Sequence, residues 1–584
     1  MAFWETVMTS SRSKGLPYGK RLVPVLVDQY AREEPDRVCF SFPRSSEIED
    51  GFQDMTFETF ANAINKTARF IHREIGRSAV FETVLYMGYP DVRHFIVLVA
   101  LMKTGHKVRP HAIKTTEMFI MLTISQVLFS SHRNSVAGHA DLIKRTDCTV
   151  LLHSAGFPVG GIVEKCRLET LCMPELDYLL DDSIKCEHYP YTWTFEEAKS
   201  HPCLVVHTSG STGLPKPVVW TQESLALTDN QHTVPDLDGR PTIWATLNDQ
   251  VERHFSAIPI FHGAGIACGI IRCLYNKNTV VLPPQGLVTA EIFDKVLDHG
   301  NIDDASCIPI TLEEVATRPD ILAKIKRLKK ITYAGGSLTS QAGNIISKHA
   351  HLYSILGSIE SNTLVQHVTD RSDWQYICLN PNYNGIEMRN LPTASSSTSP
   401  LHELIFVNDP AKSSFPGVFK VFPHLEEYST SDLFSAHPDP SKPHHWKHES
   451  RTDDMIVFNS GCNFNPRIHE HLIASHPAVQ ACILIGTGRH CAAVIIELRN
   501  GHYTEDDGEK EKVLDEIWPM IQRANAVADT IGQLRRDYVI FASKERPFGI
   551  TGKGTVQRGK AVKMYKKEIE EIYRRARDGS IEEV

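Results

Sequence analysis

The stretch VVHTSGSTGLPKPVV, residues 205–219, sets Ser209, Ser211 and Thr212 around Gly210 and Gly213, with Lys216 beyond, between two apolar runs. Glycines admit backbone conformations closed to other residues, so successive amides can converge on one point. The hydroxyls add short donors, and the lysine adds a mobile positive charge able to follow an oxyanion through a reaction. Such a loop suits a polyphosphate. It is not the common P-loop, because only two residues separate Gly210 from Gly213 and Pro217 follows the lysine. The competing reading is a plain Ser/Gly surface turn. The strand-like run "CLVVH" that leads into the loop argues against it.

At 584 residues the chain exceeds what one core organises, so two or more domains are expected. Apolar content of 42% and charged content of 23% are those of a globular protein. A net charge of −8 over this length gives no reason to expect nucleic acid or an anionic membrane as partner. The 13 cysteines are scattered, without a CxxC pair, which points to reduced thiols and a cytoplasmic location. The N-terminus lacks a basic-then-apolar signal pattern, and the longest apolar runs, "FIVLVALM" and "MFIMLTIS", are too short to span a bilayer.

Helical periodicity alternates with short β-branched runs. "FETFANAINKTARFIHREIG" (57–76) places Phe60, Ile64, Ala68 and Ile71 at helical spacing, while "CLVVH" and "TVVLPP" predict buried strands. The alternation predicts an α/β architecture. "LPTASSSTSPL" (391–401) reads as a surface connector. "HPDPSKPHHWKHE" (437–449) reads as a solvated loop, since its histidine spacing matches no metal-ligand pair. "TEDDGEKEK" reads as a turn or helix start, and "KAVKMYKKEIEEIYRRA" as one basic amphipathic helix packed on its own domain.

Three further stretches gain meaning beside a phosphate loop. "ILGSIESN" (355–362) puts Glu360 after a Gly-Ser turn, where a carboxylate is suited to the magnesium that accompanies ATP. "YSTSDLF" (428–434) offers Asp432 as an acceptor for ribose hydroxyls. "TGKGTVQRGK" (551–560) presents Lys553 between two glycines. Singly, each has an ordinary structural explanation, a satisfied buried acid or a plain turn.

The order of these motifs resembles the adenylate-forming (AMP-binding) superfamily of acyl-CoA synthetases, luciferases and adenylation domains of nonribosomal peptide synthetases. It is closest to the adenylation domains of fungal NRPS-like carboxylic acid reductases. That closer resemblance rests on "LPYGKRLVPVLVDQYAREEPDRV", "SRTDDMIVFNSGCNFNP" and "GKGTVQR", and it covers nearly the whole chain. It implies a large multi-sheet α/β N-terminal domain, 1–452, and a small mobile α+β lid, 453–584, turning about a hinge at Asp453. Thr208, Ser209, Gly210, Ser211, Thr212, Gly213 and Lys216 would cradle the phosphates, and Glu360 would bind Mg2+. Asp432 and Arg451 would hold the ribose, while Gly335, Gly336 and Leu356 would flank the adenine and acid pockets. Lys553 would bridge the substrate carboxylate and the α-phosphate.

The implied activity is ATP-dependent activation of a carboxylic acid to an acyl-adenylate. Transfer to coenzyme A or to a phosphopantetheinyl carrier protein supplied in trans would follow, in fungal secondary metabolism. The alternative is a catalytically impaired nucleotide-binding remnant of such a synthetase. Departures from the family pattern are Ser431 and Ser450 at usual glycine positions, and Asn463 where a lysine or arginine is usual. In amino-acid-activating relatives an aspartate pairs with the substrate ammonium; here "IPIFHGAGI" puts His262 at that position, which favours an aryl or alkyl acid. A satisfied core histidine is the other reading of His262.

Between "GHKV" and "VLFSSHRNS", removing Val108–Gln126 (126 − 108 + 1 = 19 residues) restores the family pattern as "GHKVLFSSHRNS". A valine codon begins with GT and a glutamine codon can be CAG, so we read the segment, as a hypothesis, as a retained intron. Mature transcripts that carry these codons would show a true insertion instead.

Overall fold

The apolar runs of the first part of the chain fold as parallel strands, and the helical stretches cover their faces. The computed structural model describes all residues except 1–16, 77–81, 106–125, 132–133, 209–214, 248–251, 392–399, 413–414, 416, 461–462, 527, 529–531, 550–555 and 580–584. Of the segment 108–126 only Gln126 is described, opening the strand Gln126–Phe129. The connector reading of 391–401 falls largely outside the described residues. Compactness divides the chain into two units: Met1–Gly210 with Leu214–Gly385 and Val407–Glu426, and Ser211–Gly213 with Ile386–Phe406 and Glu427–Val584.

In the first unit, a seven-stranded sheet runs in the order Leu352–Ser354, Lys330–Tyr333, Asp304–Cys307, Arg253–Ser256, Thr279–Val281, Val38–Pro43 and Phe52–Thr56, and only the last pair is antiparallel. A six-stranded sheet runs Glu169–Cys172, Val150–His153, Thr83–Met87, Gln126–Phe129, Pro202–Thr208 and Lys216–Thr221, again parallel up to the final hairpin. Parallel strands need both faces covered. The helices Phe57–Ile75 and Arg93–Thr104 share one apolar cluster with residues of both sheets, among them Phe40, Val280, Val84 and Leu204. As the periodicity predicts, Phe60, Ile64, Ala68 and Ile71 all point into that core. Thr56 caps the first of these helices by accepting from the Thr59 amide, and Gly76, at φ +78°, closes it.

The first unit also buries charge. Asp304 lies between His254 Nδ1 at 2.8 Å and Arg272 Nη2 at 2.6 Å, all within the core. Burial alone would raise the Asp304 carboxyl, but Arg272 and His254 outweigh it and hold the group well below its usual range. The same burial, reinforced by the Arg272 charge, pushes His254 down to about 4.

The second unit holds two hairpins, Ile386–Asn390 with Leu401–Val407 and Glu427–Ala436 with His445–Arg451. After residue 453 comes a three-stranded sheet of Val479–Ile485, Ala493–Leu498 and Val539–Phe541. Alternate residues of Ala493–Leu498 serve opposite faces. Val494 and Ile496 pack with the helices Arg467–Ala474 and Asp507–Ala526, while Ala493 and Ile495 pack with Arg558–Met564 and Lys566–Gly579.

Two sequence expectations are corrected here. The second half of the histidine-rich stretch is the strand His445–Arg451, with His445 buried, because the turn ends once Trp446 and its neighbours pair with Ser435 and Ala436. The C-terminal amphipathic stretch is two helices rather than one. Tyr565 breaks it, buried between them with its hydroxyl bonded to the Arg546 carbonyl and the Ser543 amide. Both pieces pack on their own unit, through Ala561, Tyr565, Ile569 and Tyr573.

Candidate active site

Four candidate groups follow the carboxyl ends of parallel strands, the ordinary ligand position of open α/β sheets. The hydroxyl loop follows Pro202–Thr208, and the turn carrying Glu360 follows Leu352–Ser354. Gly335 and Gly336 follow Lys330–Tyr333, and His262 follows Arg253–Ser256. The loop residues Ser209, Gly210, Ser211, Thr212 and Gly213 lie outside the described residues. Their stems do not: Thr208 and Lys216 face each other across the hairpin as ladder partners.

The turn with Glu360 is fixed on several sides. Ser358 and Ser361 bond each other's hydroxyls and amides at 3.0–3.3 Å. Asn362, at φ +60°, donates to the Ser224 carbonyl at 2.8 Å. Gln366 clamps Leu356 from both ends, its Oε1 accepting from the Leu356 amide and its Nε2 donating to the Leu356 carbonyl, each at 3.1 Å. Within this rigid frame the Glu360 carboxylate is half-buried and has no hydrogen bond or ion pair among the described residues. A held, unpartnered carboxylate fits a single protein ligand for Mg2+, which takes its remaining oxygens from phosphates and water.

Trp220 joins these pieces, and no sequence motif marks it. It sits in the hairpin strand Lys216–Thr221, and its Nε1 donates to the carbonyl of Ile359 at 2.7 Å, next to Glu360. A buried indole N–H needs such a partner. A Cβ placed on Gly263, next to His262, would stand 3.2 Å from the Trp220 ring and 3.3 Å from Ile359, so any other residue would press both side chains back by a few tenths of an ångström. His262 caps the helix Gly263–Ile266, its Nδ1 accepting from the Ala264 amide at 3.2 Å. That bond assigns the neutral ring its proton on Nε2. Gly335 takes φ +91°, a conformation that favours glycine, while a Cβ on Gly336 would only touch Pro309 at 3.6 Å.

His207 precedes the loop and is a structural support. Its Nε2 accepts from the Ser131 amide at 3.1 Å and from Asn134 at 3.2 Å, and burial pushes the ring down to about 4. His207 and His254 therefore protonate near 6.5 in the unfolded chain but only near 4 in the folded one. Stability held above pH 6.5 is expected to fall as pH drops toward 4, by up to about 1.4 kcal/mol per pH unit for each histidine. Denaturant unfolding at pH 7 and pH 4.5 should show the loss, reduced in His254→Gln; an unchanged pH slope in that variant would remove His254 as a cause.

In the second unit, Asp432 and Arg451 are ladder partners. Arg451 Nη1 and His448 Nε2 both approach the same oxygen, Asp432 Oδ1, at 3.4 and 3.5 Å, leaving Oδ2 unpartnered among the described residues. Ser431 stands at φ +62°. The backbone there keeps the left-handed conformation a glycine would take freely, at a cost to serine of about 1 kcal/mol. Ser431→Gly is expected to raise stability by roughly that amount in denaturant unfolding; lower stability would mean the serine's local hydrogen bonds outweigh the strain. Ser450 is fully buried and donates to Met455 Sδ at 3.5 Å, without a glycine-like backbone. Asp453 lies in the single turn Thr452–Asp454. The side chain of Asn463 and all of Lys553 lie outside the described residues.

A hairpin at the carboxyl ends of parallel strands, joined through Trp220 to a held carboxylate, defines an α/β protein with the ligand-site layout of open α/β sheets. The pattern shared by AMP-binding enzymes matches residues 27–378, and that of the AMP-binding enzyme C-terminal domain matches 453–577. The chain belongs to the AMP-binding enzyme family and is adenylate-forming and ligase-like.

An isocyanide synthase–NRPS hybrid, crmA, of Aspergillus fumigatus is 30% identical over 97% of this chain and 34% of its own length. A carboxylic acid reductase of Neurospora crassa is 30% identical over 97% of this chain and 52% of its own. The chain thus spans between about a third and a half of these relatives. Among solved structures, an anthranilate CoA ligase, AuaEII, in complex with anthranoyl-AMP superposes with a TM-score of 0.65 at 14% identity, over 95% of this chain and 99% of that one. A benzoate CoA ligase of Burkholderia xenovorans LB400 gives 0.64 at 14%, over 94% and 100%. Every cysteine among the described residues is a free thiol, and no described helix is long and apolar enough to cross a membrane.

Proposed function

We propose that this chain activates a carboxylic acid with ATP, releasing pyrophosphate, and passes the acyl group from the adenylate to a thiol. The thiol belongs to coenzyme A or to a phosphopantetheinyl carrier protein, and the setting is the cytoplasm of a fungus making secondary metabolites. The observation that carries the reading is the junction at Trp220, where the hairpin of the hydroxyl loop, the Glu360 turn and the His262 helix meet.

In the reaction the acid's carboxylate attacks the α-phosphorus, so two anions meet while pyrophosphate gathers charge as it leaves. Ser209, Ser211, Thr212, the loop amides and Lys216 stabilise the leaving group, and Asp432 with Arg451 holds the ribose. Mg2+, when bound at Glu360, supplies further neutralisation of the phosphates. Lys553 stabilises the attacking carboxylate when the domain from 453 onward, hinged at Asp453, closes. Alignment removes much of the entropic barrier, worth up to about 7–11 kcal/mol in ideal cases.

The acid is an aryl or alkyl one. His262 spends Nδ1 on the Ala264 amide and carries its proton on Nε2, so a substrate ammonium would find a donor where it needs an anion. The matched relatives include a carboxylic acid reductase, and the structural neighbours include ligases of anthranilate and benzoate, which supports the same class. ATP–pyrophosphate exchange across benzoate, cinnamate, octanoate and the proteinogenic amino acids tests it. Exchange with the aryl or alkyl acids should exceed that with every amino acid. Stronger exchange with any amino acid would overturn the substrate class, and no exchange with any member would favour the impaired remnant.

A further inference from the structure

The far edge of the six-stranded sheet lies apart from the motifs of adenylation. Its edge strand, Glu169–Cys172, stands four strands away from Pro202–Thr208, and all of these strands run parallel. At about 4.8 Å per strand the two are roughly 19 Å apart, at the same carboxyl end of one sheet. Beside that edge opens a cavity of about 400 Å³, within the size range of small-molecule sites.

Its chemistry follows from the pattern of the helix Phe57–Ile75. The face carrying Phe60, Ile64, Ala68 and Ile71 is buried in the core, while Lys66, Arg69, Phe70 and Arg73 recur at i, i+3, i+4 and i+7 and form a second stripe along the cavity. Lys66 is buried, its ammonium donating to the carbonyls of Tyr178 at 2.8 Å, Leu179 at 3.2 Å and Asp181 at 2.8 Å. Arg69 is anchored by Glu187 at 2.6 Å, Arg73 by Glu74 at 2.7 Å, and Lys185, a fourth cation on the same cavity, by Glu58 at 2.9 Å. None of these three carboxylates lines the cavity, so the cations are fixed from outside it and the space between them is positive. The rest of the wall is apolar. Met173 and Pro174 follow the edge strand, and Tyr178 and Ile184 are 46% and 42% exposed beside them.

We propose that this cavity binds a small amphipathic anion, an aryl or alkyl body ending in a carboxylate, at a site separate from that of adenylation. The body lies against Phe70, Met173, Tyr178 and Ile184, and the carboxylate meets Arg69 and Arg73, whose planar guanidinium groups match its two oxygens. A compact inorganic anion would leave the apolar wall unused, and a neutral apolar molecule would leave the positive field unanswered. The proposal does not depend on the reaction assigned above.

Cys172 and Cys186 line the cavity and give a local readout, whereas Cys166 does not line it and serves as the internal control. The full chain, without ATP and at constant ionic strength, is alkylated with iodoacetamide, a neutral reagent, and each thiol is followed by peptide mass spectrometry. Octanoate or benzoate, at about ten times its Kd, leaves roughly a tenth of the sites open, so alkylation of Cys172 and Cys186 should slow about tenfold while that of Cys166 changes by less than about twofold. Octanamide, which keeps the body without the charge, and inorganic phosphate, which keeps charge without the body, should give no protection at the same concentrations. Arg69→Gln combined with Arg73→Gln should abolish protection by the acid. If that pair does not fold, Arg73→Gln alone, at a side chain 71% exposed, should weaken the acid's binding roughly threefold, the share of one exposed charge pair. No protection by either acid, equal protection by octanamide or phosphate, equal slowing at Cys166, or protection that survives the arginine substitutions would overturn the proposal.

Discussion

Replacing Lys553 by alanine is expected to lower adenylate formation by about 10²–10³-fold, by analogy with loss of a single transition-state donor, while ATP affinity stays nearly unchanged. The nucleotide's proposed anchors are the hydroxyl loop, Glu360 and Asp432, none of which includes the lysine. Transfer from a supplied acyl-adenylate should be much less affected, since in the proposed cycle that step uses the other lid position and expels no pyrophosphate. ATP binding by calorimetry, single-turnover adenylation and transfer from synthetic adenylate are the measurements. Equal loss in both half-reactions would assign the lysine a structural role in the lid.

Asp432→Ala is expected to act on the opposite term. With Oδ1 engaged by Arg451 and His448, Oδ2 is left for the proposed bonds to the ribose. Hydrogen bonds to a charged acceptor contribute about 1.5–3 kcal/mol each, so losing the pair should weaken ATP binding by about 10²–10⁴-fold. Ribose contacts are alike in ground and transition states, so the loss should fall on KM rather than kcat. 2′,3′-Dideoxy-ATP supplies the control: it should bind wild type and variant alike. A variant that loses affinity for the dideoxy nucleotide to the same degree would show that Asp432 acts on the fold of its hairpin instead of on the sugar.

Much of this architecture was legible from local pattern, because parallel strands and the helices that cover them write their burial directly into the chain. Phe60, Ile64, Ala68 and Ile71 declared their face by spacing, and the hydroxyl loop declared its place by the run before it. Glu360 was legible as a candidate, but what orients it was not. Asn362, Gln366 and Trp220 act across distances of 138, 10 and 139 residues, and a side chain that bonds a remote carbonyl leaves no periodic trace. The two misread stretches fail for a related reason. His445 sits in a stretch that looks solvated by composition and Tyr565 in one that looks like an unbroken helix, and each is buried by partners outside its own stretch or across a turn, Ala436 and its strand in one case and Ser543 and Arg546 in the other. The glycine-like departure at Ser431 was visible in the sequence, yet only the backbone angle tells that the chain kept its shape and changed its residue.

The Trp220 junction also bears on how this molecule can change its diet. One indole, itself in the strand that follows the hydroxyl loop, bonds the carbonyl next to Glu360 and lies close to the glycine next to His262. A new acid specificity sought by mutation around Gly263 and Ile359 would therefore register at the nucleotide end as well. If the proposed roles hold, acid preference and ATP handling share this one side chain, and directed evolution of the pocket should meet coupled, non-additive effects at Trp220 before it exhausts the choices at His262.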